Sequence, residues 1–468
     1  MDAIVKVEKP WLVMSSMLIG AFVGMLSETS LNIALPQLMK EFNVGASQVQ
    51  LLVTGYMLLI GIILPFSSIL SKWFTTRQIV IFGLVDFIVG AIVSAMAPNF
   101  AILLTGRMIQ GIGTGLILPL MFTVAMLIFS PQKLGTAMGV CALVIMLAPA
   151  IGPTLTGIVL GALSWNYVFW MFVPFLVIAL ILAIFALKNV GQLTKPKIDL
   201  LSVIESIIGF SALVMGVSLA SELGWTSPVI IGLLIIGVIV LMLYAKRQLS
   251  LSEPVLNLHV FNQRAFALGA CGVMIDFAII LSAMYLLPQY LQKGLSLPVA
   301  ITGMIMLPGG IINAIVSAFA GRLYDSFGAK KPAVAGFAIA VIGIVMLIFS
   351  NSNSSLGYVI AAHIVLMIGC PLAMSPAQTH ALNSLQGAES ADGSTILNTM
   401  QQIIGAVATA LATSFLSWGQ NAYSGANVAA KFTNGVHYGL YFTLVLAIIG
   451  VILALNFGKR TPSKDINE

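Results

Sequence analysis

Charge is what this 468-residue sequence has least of: 21 basic and 15 acidic side chains, 8% of the chain. Soluble domains carry about a quarter, so most of this length is not built to face water. Cysteine is also scarce. Cys141, Cys271 and Cys370 are the only three and make no CxxC pair, which excludes a disulfide scaffold. Each sits in an apolar run and is expected as a small core residue. The four histidines, His259, His363, His380 and His437, are scattered and suggest neither a metal-binding pair nor a Ser-His-Asp arrangement. A Gly-x4-Gly-Lys-Ser/Thr phosphate loop is missing, which argues against direct nucleotide hydrolysis. No metal or organic cofactor and no enzyme activity are expected. The lack of a sizeable soluble segment argues against a signalling receptor, and the composition excludes a nucleic-acid binder.

Hydrophobicity fills the space that charge leaves. The chain is 59% hydrophobic with a mean hydropathy of +1.06, and several charge-free runs exceed the roughly 18 residues that mark a bilayer-spanning helix. Fourteen spans are predicted, near 11–35, 48–70, 78–97, 101–128, 134–160, 165–187, 201–221, 228–245, 265–288, 300–320, 332–349, 356–376, 395–417 and 437–457. Lys6 and Lys9 precede the first run, which is too long for a signal-peptide core. Under this count 17 basic residues fall in one set of loops and tails, and only Lys40, Lys293 and Lys431 in the other. Lys and Arg collect on the cytoplasmic side, so both termini are expected there, in a cytoplasmic membrane. The net charge of +6 is read as this topology signal.

The chain also divides internally. A central pair of spans is flanked by charged, proline-bearing segments at 188–200 and 246–264, leaving six spans on either side. The expected organisation is an N-terminal six-helix bundle at 1–190, a linker with two further helices at 191–260, and a C-terminal six-helix bundle at 261–468. Leu35-Pro36-Gln37 and Leu287-Pro288-Gln289 close the first span of each half, and the loop Lys72–Arg77 has a counterpart in Arg322–Lys331. Two similar bundles meeting at a central pathway are a common transporter plan.

Ionisable side chains cost roughly 2.5 to 3.5 kcal/mol each at the centre of a spanning helix, so each needs a cavity, a partner or a proton. Four stand within spans: Glu28, Asp86, Arg107 and Asp276. Glu28, with Asn32 one turn later on the same face, reads as a proton carrier or as a helix–helix hydrogen bond. Asp276, in mid-span, carries the same two readings, and so does Asp86. Arg107 keeps its charge and needs an acceptor: a carboxylate, helix-end carbonyls, or the outer interface as a simple anchor. Glu205 and Glu222 lie near span ends, where solvation is available. Pro149, Gly152, Pro153 and Gly157 make the fifth span a bent, small-residue helix, suited to a rocking element or a static kink. Asn398, Gln401 and Gln402 could line an aqueous path or bond across helices.

In combination these residues resemble the fourteen-helix drug:proton antiporters (EmrB/QacA type) of the major facilitator superfamily, over nearly the whole chain. Glu28-Thr29-Ser30-Leu31-Asn32-Ile33-Ala34-Leu35-Pro36 resembles their first-helix signature, with the acid one place later than the usual Asp and Ser27 in that place. Gly106-Arg107 with Gln110, Gly111 and Gly113 is similar to the fourth-helix motif, and Pro149–Gly157 to the antiporter motif of helix five, with Thr156 where a second glycine is common. Ser71-Lys72 to Arg77 resembles the cytoplasmic gate motif without its Asp, whereas the second-half copy Gly321-Arg322-Leu323-Tyr324-Asp325-Ser326-Phe327-Gly328 keeps it at Asp325.

The resemblance implies an all-α major facilitator fold of two six-helix bundles plus two linker helices. It implies proton-driven export of amphiphilic, often cationic, small molecules by a monomer in a bacterial inner membrane, with protons as the coupling ion. Glu28, Arg107, Asp276 and Asp86 would handle protons, and Asn32, Gln110, Asn398, Gln401 and Gln402 would line the pathway. The same scaffold also serves carriers of lipids, metabolites or peptides, the main alternative.

Overall fold

Backbone amides in hydrocarbon must be satisfied within their own segment, and in this apolar sequence that yields helices. A computed structural model describes residues 9–187, 189–190, 199–251, 254–385 and 388–458, apart from some side chains within the helices. Its helices are α1 Pro10–Glu41, α2 Ala46–Trp73, α3 Thr76–Ala95, α4 Phe100–Ile128, α5 Pro131–Ala162, α6 Asn166–Trp170, α7 Phe172–Ala186, α8 Leu200–Leu223 and α9 Pro228–Ser250. A 3-10 turn at Leu258–Asn262 follows, then α10 Arg264–Gln289, a π turn at Tyr290–Gly294, α11 Val299–Phe327, α12 Lys330–Ile348, α13 Leu356–Asn383, α14 Ala388–Ala422 and α15 Val428–Leu455. Among the described residues 14 helices are long and apolar enough to cross a membrane, the number expected, and no strand occurs.

Several edges differ from hydropathy because polar caps, not apolar runs, end helices. The side chain of Asn427 accepts from the Ala430 amide at 3.1 Å and starts α15 nine residues before the expected 437. The Thr75–Gln78 capping box opens α3 at Thr76 rather than 78, whereas Asn99 caps α4 within one residue of its expected start and Ser355 caps α13 at the start expected. The sixth span is interrupted at Met171, where Pro174 has no N–H for the Trp170 carbonyl. Pro36 and Pro288 lie inside α1 and α10 instead of ending them. Gly328, at φ 72°, supplies the left-handed turn after α11.

The described chain forms two units: one of residues up to Met242 with Leu297–Leu307, the other of Leu243–Ser296 and Pro308 onward. In the first, α8 is fastened to α2 by the Ser47–Ser221 hydroxyl pair and by Gln48, whose amide donates to Glu222 at 2.9 Å. Glu222 is therefore an exposed but tethered end group. The backbones of α3 and α4 touch: a Cβ on Gly90 would lie 2.7 Å from the Gly106 carbonyl, and one on Gly106 would lie 2.9 Å from that of Gly90. The second unit repeats the device between α12 and α13, where a Cβ on Gly369 would lie 2.6 Å from the Gly336 carbonyl. There too the segment after α9 is pinned by Gln248, which accepts from the Val255 and Leu256 amides, and by an apolar cluster around Leu256, Val260, Phe266 and Ile396. Cys141 and Cys370 are buried as expected, but Cys271 is exposed; an apolar run does not say which face of its helix meets neighbours.

Candidate functional site

Arg107 organises the interior of the first unit. It is fully enclosed, with 0% of its surface exposed, so it is not an interface anchor. Its Nη1 donates to Ser27 Oγ at 2.6 Å and to Gln110 Oε1 at 2.7 Å, its Nη2 to the Ser27 carbonyl at 3.2 Å, and its Nε to the Leu52 carbonyl at 3.1 Å. Three helices, α1, α2 and α4, thus converge on one guanidinium. The planar fork suits this, since several fixed N–H directions meet several oxygens at once. The guanidinium also lies over the Tyr56 ring, 4.0 Å from its centroid, a favourable cation–π placement. Tyr56 in turn donates to the Gly24 carbonyl at 2.8 Å and shares a 2.7 Å hydrogen bond with Thr114.

Glu28 follows directly on Ser27 and is 2% exposed. Asn32, one turn further along α1, is buried with its Oδ1 lacking a hydrogen-bond partner. Gln110 gives its carbonyl to Arg107, while its amide nitrogen lacks one. The structure therefore gathers Arg107, Gln110 and the Ser27–Glu28 turn of α1, and leaves polar atoms there that a solute or water can engage. Asp86 stands apart. It is half-buried on α3, and a Cβ on Gly113 would lie 3.2 Å from its Oδ2.

Helix α5 uses its two interior prolines, Pro149 and Pro153, at successive contacts. Pro153 has no N–H for the Pro149 carbonyl one turn back, and that freed oxygen accepts from Thr29 Oγ1 at 3.1 Å. Gly152 lets α1 approach, since a Cβ there would lie 3.0 Å from the Leu26 carbonyl. The next turn packs on the start of α11: Thr154 Oγ1 donates to the Gly303 carbonyl at 2.8 Å, and a Cβ on Gly157 would lie 2.9 Å from that of Val299. One face of the Pro149–Gly157 motif thus lies directly against the helix that carries Glu28.

In the second unit Asp276 is 0% exposed in the middle of α10, and neither carboxyl oxygen has a hydrogen-bond partner among the described residues. The polar side chain set against it is the Cys370 thiol of α13. Gln401 and Gln402 of α14 are buried, each with an amide atom lacking a hydrogen-bond partner, and Asn398 is half-buried. In the gate motif, Lys72 is exposed and Arg77 Nη2 donates to the Ile184 carbonyl at the end of α7 at 2.6 Å. The side chains of Arg322 and Asp325 lie outside the described residues. No group of three or more metal-binding side chains occurs among the described residues.

Sequence reasoning missed Ser27 as an arginine acceptor, Tyr56 as its platform and Cys370 as the neighbour of Asp276. Ser27 was marked by standing where relatives of this type carry an acid. The other two depend on helix register, which leaves no local signal.

Fourteen apolar spans that shelter an arginine and carboxylates in their interior define a membrane transporter, since such charges mark solute and ion routes. The chain belongs to the major facilitator superfamily, whose model matches residues 17–409. It is 46% identical over 460 residues to "Lincomycin resistance protein LmrB" of Bacillus subtilis, covering 96% of this chain and 95% of that protein. It is 42% identical to the protein of the same name from Listeria monocytogenes, covering 96% and 97%. Among solved structures it is similar to a bacterial homolog of the human lysosomal transporter Spinster, with a TM-score of 0.68 at 12% identity, covering 96% of this chain and 97% of that one; this likeness concerns the fold.

Proposed function

We propose that this protein is a proton-coupled exporter of amphiphilic, often cationic, small molecules, a monomeric carrier in a bacterial cytoplasmic membrane with both termini inside. The carrying observation is the buried cage around Arg107, which ties α1, α2 and α4 together at the residue preceding Glu28. A carboxyl group that takes either a proton or a substrate charge performs exchange. Glu28 is the proton carrier, Arg107 the fixed cation that biases its release, and Asp276 the second titrating group; Asp86 has a lesser part. Asn32, Gln110, Asn398, Gln401 and Gln402 offer neutral hydrogen bonds along the pathway. Pro149, Gly152, Pro153 and Gly157 supply the bending contact, and Lys72, Arg77, Gly321, Arg322, Asp325 and Gly328 the cytoplasmic gate. Each charge moved down 100 mV provides about 2.3 kcal/mol, enough to bias a two-state carrier. Resistance relatives at 46% and 42% identity support a drug-like cargo, and the 17-to-3 split of basic residues supports the orientation.

Efflux of several cationic dyes from proteoliposomes under an imposed pH gradient tests this reading. Wild type is expected to move dye with the gradient, whereas Glu28→Gln and Asp276→Asn lose the gradient response. Full gradient-driven export by Glu28→Gln removes Glu28 from the coupling, and immobility of every dye in wild type points to a carrier of other solutes.

A further inference from the structure

Two clamps hold the turn of α1 that ends at Glu28. One is Arg107, which donates to the hydroxyl and to the carbonyl of Ser27. The other is Tyr56 of α2, whose hydroxyl donates to the Gly24 carbonyl at 2.8 Å. In an α-helix that carbonyl also takes the amide four residues further on, here that of Glu28. Position 24 has to be glycine for the second clamp to form: a Cβ there would lie 2.7 Å from Thr114 Cγ2 and 2.8 Å from Thr114 Oγ1. The missing side chain lets α1 come against α4 and sets the Thr114 hydroxyl beside the same contact.

The hydroxyls of Tyr56 and Thr114 are 2.7 Å apart and either can donate. Thr114 Oγ1 also reaches the Gln110 carbonyl, at 3.2 Å. Each hydroxyl has one hydrogen and also accepts, so the group has two complete arrangements. In one, Thr114 donates to Tyr56 and Tyr56 to the Gly24 carbonyl. In the other, Tyr56 donates to Thr114 and Thr114 to the Gln110 carbonyl. Each contains two hydrogen bonds and strands no donor, and the Gly24 carbonyl keeps its bond within α1 when Tyr56 leaves it. Tyr56 and Thr114 are fully buried, where an unmade hydrogen bond is costly, so an exchange that keeps the number of bonds constant is the accessible one. The ring can stay beneath the Arg107 guanidinium while only the O–H turns.

We propose that Tyr56 is a positioning residue for Glu28: its hydroxyl holds the Gly24–Glu28 turn of α1 and, by turning to Thr114, releases that turn so that α1 can swivel about the Ser27–Arg107 bonds. Arg107 is then the pivot and Tyr56 the catch. Glu28, next to the pivot, changes direction when the catch opens. Such an element has two discrete arrangements of similar bonding, the requirement for a conformational switch. The inference rests on the reading of Glu28 as the proton carrier.

Hydrogen–deuterium exchange of the full-length protein in lipid nanodiscs, read on peptides covering Gly24–Glu28, separates a catch from a merely structural contact. Tyr56→Phe keeps the ring under Arg107 and loses the catch, so exchange there is expected to rise about fivefold, the scale of one hydrogen bond. Thr114→Val keeps the shape and removes the second acceptor, which leaves Tyr56 on Gly24, and exchange is expected to fall by about the same factor. In proteoliposomes under a pH gradient Thr114→Val is also expected to slow dye export about fivefold at an unchanged half-saturating dye concentration. Thr114→Ser, which retains the hydroxyl, should restore wild-type values in both measurements. Substitutions that only loosened the fold would raise exchange in both Tyr56→Phe and Thr114→Val. A rise in Thr114→Val, unchanged exchange in Tyr56→Phe, or wild-type export by Thr114→Val therefore overturns the proposal. Full gradient-driven export by Glu28→Gln instead removes Glu28 from the coupling, and the exchange at Gly24–Glu28 reports the catch independently of that result.

Discussion

The two units bury charge in opposite ways. In the first, a guanidinium that cannot shed its proton donates four hydrogen bonds to oxygens of Ser27, Leu52 and Gln110 and lies over the face of Tyr56. In the second, a carboxyl that can be neutralised is fully buried with neither oxygen hydrogen-bonded among the described residues. Permanent charge in a low-dielectric interior survives only inside a complete shell of acceptors, whereas a titratable group can give up its charge instead. The first arrangement is a fixed structural cation; the second is free to change state.

Removing the fixed cation breaks this contrast most severely. Arg107→Ala strands the Ser27, Leu52 and Gln110 oxygens, and about 3 to 5 kcal/mol of stability is expected to go with it; thermal unfolding in detergent measures the loss. Arg107→Lys, with a point charge in place of a fork, is expected to lose most of it too. A near-wild-type melting temperature for either would mean that the cage does not hold the unit together. Asp276→Asn, by the same contrast, should leave stability almost unchanged while altering coupling.

A feature that the units share gives the next largest effect. Gly106→Val and Gly369→Val each place a side chain where a backbone carbonyl already stands, and each is expected to destabilise its unit by about 1 to 3 kcal/mol or more. Tolerance of one but not the other, seen in yields and melting temperatures, would show that only one helix pair depends on backbone contact. Thr29→Val is the smallest change, the loss of one hydroxyl bond to Pro149. It is expected to cost about 1 kcal/mol and is best seen as a small drop in melting temperature.

The number of spans was legible because hydropathy and length alone decide what crosses a bilayer. So was the need of Arg107 for an acceptor, because the chemistry of arginine demands one wherever it is buried. Its acceptors were not legible: two are main-chain carbonyls, of Ser27 and Leu52, which every sequence possesses. The nearness of Cys370 to Asp276 was hidden for another reason, since it depends on the register of α10 on α13, which leaves no local signal. Cys271 came out exposed because a residue in an apolar run can face either a neighbouring helix or the outside, and both environments look alike in composition. Helix ends such as that of α15 moved because a single asparagine overrode the hydropathy edge.

The carbonyl of Pro149 has one more consequence. Its oxygen was released from the helix ladder by Pro153, so the hydroxyl of Thr29 borrows an acceptor that α5 never used for itself. Parting the Thr29 hydroxyl from the Pro149 carbonyl costs neither helix a bond of its own ladder. The joint beside Glu28 can open and reclose without any turn of either helix unwinding.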